Sequence, residues 1–444
     1  MKNHGHKKKE PLVLLIGNVN HEGVSSAIRT AGRQYKQKML ESKPENWSEI
    51  VRLFDEFHVE SVLIKFAGHN FSRILRDEYR DVGVELLAKV GSVPNILFVY
   101  ENIITGKYTE EDEDFWTPDE DERVTVLSMF EVHGITVLPY KKNAEVTVIA
   151  TSFLKETEQN LIFRLYIPTA RMWADETDRL LQMFRDYLGR VGGLAVRLDQ
   201  YRTENGVIYE FFGEIPMGET GLATEFADFT QLLDMCASNQ AAAEAILLEK
   251  KVSPREIIDI LSRYGKEAKR LQVDLKHDRE RKILGIRQRL ESELVDILPA
   301  NLDWLSVDAL VDTVVPSISG TSAALSIDQS PLRLATHHKA SPVTINLNYQ
   351  AIEAVNGIVA QEIRGDQHLT TNDLELLKLV QEHGGSNKSE LASAVHELSD
   401  KSAPSTGRLV ARQKLKKFVA GLGSKAGDIA TGLLQKYIET QLGM

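Results

Sequence analysis

The chain has 444 residues, 42% of them hydrophobic and 26% charged, with a formal net charge of −11 at pH 7. That length exceeds one ordinary core and predicts roughly two to four domains. The acidic balance excludes a generally basic nucleic-acid-binding surface and leaves only local basic patches for that work. The single cysteine, Cys236, excludes an intramolecular disulfide and a multi-cysteine zinc site, and its helical, apolar neighbourhood predicts a buried thiol. No uninterrupted apolar run reaches about 18 residues, so no membrane span is expected. Residues 1–10 are basic but lack the apolar stretch of a signal peptide, so a cytoplasmic location is expected.

From 11 to 142, short apolar runs at 12–16, 61–66, 95–100 and 135–140 alternate with amphipathic stretches at 24–40, 47–57, 71–90 and 122–132. The alternation predicts a Rossmann-like α/β domain with four parallel strands joined by helices. Nine acidic residues crowd 110–122, the composition of a solvated loop or of a site for a cation or a basic partner. The pattern then predicts a small α+β unit over 143–215: strands at 146–153 and 161–167, a helix at 175–188, and strands at 194–201 and 207–212. The last two meet at Asn205-Gly206, a pair suited to the positive φ angles of a tight hairpin.

Beyond 215 the chain reads as a mainly α-helical C-terminal half. A helical connector spans 220–315, a looser linker or arm 316–342, and a helical C-terminal domain 343–444, which holds a short strand at 343–347 and helices at 350–362, 372–383, 388–398 and 407–442. In the connector, Ser253, Pro254 and Glu256 form a helix start. Ile257, Leu261, Tyr264, Ala268, Leu271 and Leu275 then follow on one helical face. Asp278 and Lys282 interrupt this stripe, and Ile283, Ile286, Leu290, Leu294 and Ile297 resume it one residue out of phase. One bent helix or two helices meeting near 277–281 would both satisfy the pattern.

In open α/β sheets ligands bind outside the carboxyl ends of the strands. There the first run opens onto Gly17, Asn18, Asn20, His21, Glu22 and Gly23 before a helix, a loop able to offer N–H groups to a phosphate or carboxylate. It matches neither the ATPase phosphate loop nor the dinucleotide glycine pattern, so no cofactor is named. Lys65, His69 and Asn70 belong to the end of the second run and Glu101 follows the third. His21, Glu22, His69 and Glu101 form a candidate acid–base set, and Gly17, Asn18, Asn20, Gly23, Lys65 and Asn70 a candidate ligand-binding set. Between Arg263 and Glu293, ten Lys/Arg face six Asp/Glu. The cluster Arg279, Arg281 and Lys282 is the candidate contact for nucleic acid, for another phosphate group, or for an acidic partner such as the 110–122 loop of a neighbouring copy.

The segments Val343-Thr-Ile-Asn-Leu-Asn348, Gly365-Asp-Gln-His-Leu-Thr370, Leu415-Lys-Lys-Phe418 and Lys436-Tyr-Ile438 resemble the helical tails of bacterial abortive-infection and phage-defence proteins. The resemblance implies a bacterial cytosolic component of an antiviral system, with the tail used for assembly into a homo-oligomer or onto a protein partner. It carries over no catalytic residue. Two functions follow as expectations: macromolecular recognition and assembly in such a system, or a nucleotide- or phosphoester-processing α/β hydrolase.

Overall fold

A computed structural model describes residues 9–19, 23–40, 43–106, 117–158, 160–213, 222–294 and 361–422, with parts of 307–321 and 358–359. It divides into two compact units, Met1–Asn160 with Pro404–Met444, and Leu161–Ala403. The second unit is thus inserted into the first along the chain.

The first unit is built on strands β1 (Pro11–Ile16), β2 (Tyr35–Lys38), β3 (His58–Phe66), β4 (Asn95–Tyr100) and β5 (Val137–Tyr140), all parallel, in the order β2-β1-β3-β4-β5. The aliphatic runs are buried on both faces, as parallel strands require. Leu14, Ile16, Val62, Ile64, Leu97 and Val99 pack under α2 (Pro44–Glu56), α4 (Asp77–Gly91) and α6 (Glu120–Val132). Val13, Leu15, Leu63 and Phe98 pack under α1 (Val24–Thr30) and α7 (Asn143–Glu158). The expectation of a parallel α/β N-terminal domain holds, with one strand more than the pattern gave. The stretch 24–40 is not one helix: α1 stops before Gly32, which takes φ +71°, and β2 then pairs with β1. The stretch 71–90 likewise divides at Arg76 into α3 (Gly68–Leu75) and α4.

Residues 146–153 form part of helix α7, not a strand. Val146, Ile149, Ala150 and Leu154 recur at helical spacing and bury against the sheet, while Thr151 donates its hydroxyl to the Thr147 carbonyl four residues back at 2.8 Å. Burial of one face outweighs the β-branched composition. The outer strand β5 packs against α14 (Ser405–Gly421).

The second unit holds an antiparallel sheet, order β6-β8-β7, of β6 (Leu161–Pro168), β7 (Val196–Arg202) and β8 (Gly206–Gly213). The β7–β8 turn forms without positive φ at Asn205 or Gly206. Thr203 closes it instead, its N–H donating to the Gly206 carbonyl and its Oγ1 accepting the Gly206 N–H, both at 2.9 Å. Gly206 is required for space, because a Cβ there would lie 2.3 Å from the Tyr166 ring.

Helices α8 (Ala174–Arg190), α9 (Leu222–Ser238), α10 (Gln240–Glu249) and α11 (Pro254–Leu294) share a core with this sheet, centred on Phe184, Phe211, Phe229 and Tyr264. Cys236 is buried there, which pushes its thiol up to about 11. α11 is one continuous helix of 41 residues. Asp278 occupies its stripe position because the Trp173 N–H donates to its Oδ2 at 2.9 Å, and the Trp173 indole donates to the Leu275 carbonyl at 3.0 Å. The stripe shift therefore marks where Trp173, itself at φ 62°, plugs into the helix.

The described C-terminal helices of this unit are α12 (Thr371–His383), started by a Thr370/Asp373 capping box, and α13 (Lys388–Ser399). The expected strand at 343–347, most of the 316–342 arm and the 350–362 helix, and the chain beyond 422 lie outside the described residues.

Asp400 locks the sheet to the end of α13. Its carboxylate accepts from the Tyr166 hydroxyl at 2.7 Å, the Ser402 N–H at 3.0 Å and the Asn205 N–H at 3.3 Å. Burial pushes its pKa up, but hydrogen bonds from Thr203, Ser402 and Tyr166 outweigh burial and hold it below the usual carboxylate value. A depressed folded-state pKa contributes stability above the unfolded value of about 3.9, and that stability is lost as pH falls through the folded value. Acid titration of the unfolding midpoint is thus expected to show a loss beginning near pH 4 that Asp400→Asn flattens; an unchanged acid limb contradicts this role.

Candidate active or ligand-binding edge of the parallel sheet

The strand order β2-β1-β3-β4-β5 places a topological switch point between β1 and β3, where consecutive crossovers leave on opposite faces and a crevice opens at the carboxyl ends. Gly17 ends β1 there at φ +74°, its N–H donating to the Lys38 carbonyl at 2.7 Å and its carbonyl accepting from Gln37 Nε2 at 3.3 Å. Asn18 is exposed, and Gly23, at φ 108°, caps α1. Asn20, His21 and Glu22 lie outside the described residues.

On β3, Lys65 reaches the carboxyl edge half-buried. Its Nζ donates to Asn143 Oδ1 at 2.9 Å, at the start of α7, and sits 4.9 Å from the centre of the Tyr140 ring. Burial alone pulls its pKa down. Tyr140 packs edge-on against Tyr100 at 5.7 Å between ring centres, and burial, with Tyr100 adding to it, pushes its hydroxyl up to about 12. His69 is half-buried in the first turn of α3. Asn70 is buried, its Oδ1 accepting from Arg73 at 3.4 Å, so it braces α3.

Two described carboxylates at this edge have cations of their own. Glu101, first residue of α5 (Glu101–Thr105), pairs with Lys416 at 2.5 Å, and Glu145 pairs with Arg412 at 2.6 Å, both cations coming from α14. Among the described residues no carboxylate pairs with Lys65, which has only an amide oxygen and a ring face. Within the described residues Lys65 is therefore a half-buried ammonium that lacks a counter-charge, suited to an anion. Of the acid–base set, the described members are a carboxylate already neutralised and one histidine. Tyr140 and Asn143 were not singled out by the sequence, because 146–153 reads locally as a strand; the helix start at Asn143 was the available signal.

The basic cluster of the second unit is engaged within that unit. Arg279 donates to the Pro316 carbonyl at 3.0 Å, Lys282 to the Ala170 carbonyl at 3.0 Å, and Arg281 pairs with Asp278 while remaining largely exposed. Among the described residues no group of three or more His, Cys, Asp or Glu is placed to hold a metal ion. No described helix is long and apolar enough to cross a membrane. No protein-family model matches the chain, and no curated protein is significantly similar to it.

Proposed function

We propose that the α/β unit is a recognition module for a small phosphate-bearing molecule of the nucleotide class, held at the carboxyl edge of the sheet with Lys65 as its counter-charge. The observation that carries this reading is the half-buried Lys65 ammonium, which among the described residues has no carboxylate partner, while Glu101 and Glu145 of the same sheet edge are each neutralised by α14. A charge desolvated without a counter-charge costs stability, and binding sites are where such costs are retained. The N-terminus of α3, at the end of β3, adds a favourable dipole for an anion. Recognition fits better than hydrolysis, since Glu101 is tied to Lys416 and unsuited to serve as a general base. The resemblance of the C-terminal segments to tails of phage-defence proteins supports placing that recognition in a bacterial antiviral system, in the cytosol.

A thermal-shift screen with ADP, GDP and inorganic pyrophosphate tests the reading: at least one is expected to raise the unfolding midpoint, with the effect fading as salt rises. No shift from any of the three sinks it. Because only the protonated lysine attracts an anion and burial lowers the Lys65 pKa, affinity is expected to fall on the alkaline side at a pH below the ordinary lysine value of about 10.4.

A further inference from the structure

The antiparallel sheet of the 161–403 unit has two outer strands, β6 and β7, and they are treated differently. β6 is covered: on α13, Ser393 Oγ accepts the Tyr166 N–H at 3.1 Å and donates to the Tyr166 carbonyl at 3.2 Å. β7 runs seven residues, and among the described residues no hydrogen bond reaches its outward backbone groups. The turn identifies those groups. Because the Thr203 N–H bonds the Gly206 carbonyl and the ladder has no register shift, alternation turns the backbone of Tyr201, Asp199 and Arg197 toward β8. The N–H and C=O groups of Val196, Leu198, Gln200 and Arg202 then point outward. On the other side of β8 the same alternation turns Tyr166, opposite Ile208, outward from the sheet, where Ser393 meets it.

An open edge of this length is a template for another strand, and proteins that do not use such an edge blunt it. The side chains say which strand fits. On the solvent face Arg197 and Asp199 lie 3.1 Å apart, with side chains 59% and 49% exposed. We propose that β7 pairs antiparallel with β7 of a second copy of this chain, about a two-fold axis through Leu198, joining two three-stranded sheets into one.

In that register Leu198 exchanges both backbone bonds with its own copy, and Val196 does so with Gln200 of the other chain. Arg197 of each copy then faces Asp199 of the other in a non-hydrogen-bonded pair, where Cα atoms approach to about 4.5 Å and side chains interact most strongly. Centring the axis on Asp199 instead sets two carboxylates face to face, and centring it on Gln200 sets Asp199 against Tyr201. Charge therefore selects Leu198. This interface is separate from the Lys65 edge and stands or falls without it.

Light scattering over a concentration series tests the pairing on the full chain. The wild-type protein is expected at twice its 49.8 kDa mass. Gln200→Pro removes one outward N–H and keeps the ladder to β8 but loses the Gln200 Nε2 bond to Asp178 Oδ1 at 2.7 Å, so it is expected to give monomer with an unfolding midpoint close to that of Gln200→Ala, which loses the same bond and stays dimeric. Asp199→Arg sets two arginine pairs face to face and is expected to weaken the dimer by about tenfold or more. Adding Arg197→Asp to it restores opposite charges and is expected to restore the dimer. A monomeric wild-type protein overturns the proposal, and so does a dimer that ignores both Gln200→Pro and Asp199→Arg.

Discussion

Glu397→Ala is expected to destabilise the 161–403 unit by about 3–5 kcal/mol, the cost of leaving one member of a buried ion pair without its partner. Glu397 is 4% exposed, and both its oxygens accept from the Arg164 guanidinium at 2.6 Å, a two-pronged geometry that fixes α13 against β6. Burial works against the Arg164 charge, but Glu397, with Glu210 adding to it, outweighs that and raises the Arg164 pKa. Glu210 alone, bonded through Nε at 3.1 Å, reaches only one edge of the guanidinium. Amide hydrogen exchange in β6 and β8 is the readout, with protection there expected to fall by the full amount. Removing both charges together, as Arg164→Met with Glu397→Leu, is expected to cost less than Glu397→Ala alone, because the one charge then left without its partner, Glu210, has a side chain 33% exposed and keeps its contact with water. A double variant weaker than the single one would contradict the assignment.

Gly17→Ala is the corresponding test of the first unit. At φ +74° an L-residue costs about 1–2 kcal/mol. The new Cβ would also lie 2.4 Å from the Lys65 carbonyl oxygen, a backbone atom that can move only by parting β1 from β3. Overpacking of that kind costs about 1–3 kcal/mol more. The damage falls where the sheet presents Lys65, so loss of phosphate binding is expected beside the lower unfolding midpoint. Gly32→Ala is the control: it carries a similar φ of +71° with nothing within 4 Å of its Cβ, and is expected to show the strain without the loss of binding. Equal effects from both would remove the close approach of β1 and β3 from the explanation.

The strands β1, β3 and β4 were legible because a strand buried on both faces must be continuously apolar, and few other segments of that length are. β2, Tyr-Lys-Gln-Lys, has no such signal; its conformation is set by pairing with β1 at the edge of the sheet. The run Val146-Thr-Val-Ile-Ala-Thr-Ser-Phe153 carries strand composition but folds as a helix, since a tertiary surface rewards its i, i+3, i+4 face. Asn205-Gly206 suggested backbone freedom, whereas the glycine answers to Tyr166, 40 residues earlier in the chain. At the candidate site, Lys65 was visible as a lysine closing an apolar strand. Its isolation was not visible, because it depends on Lys416 and Arg412 neutralising Glu101 and Glu145 from positions 315 and 267 residues away. No local pattern carries information over that separation.

Lys65→Met separates the functional charge from the fold most cleanly, keeping the stem and removing the ammonium. A lysine whose folded-state pKa is lowered costs stability while it is charged, and that cost fades only as pH rises toward its unfolded value, so Lys65→Met is expected to leave the neutral-pH unfolding midpoint unchanged or higher. Isothermal titration of wild-type and Lys65→Met proteins with the phosphate compound that gives the largest thermal shift is the direct measurement. Recognition through Lys65 predicts binding to the wild type and at least about tenfold weaker binding to the variant, the effect of one charge-assisted hydrogen bond. Equal affinity for the two proteins would contradict it.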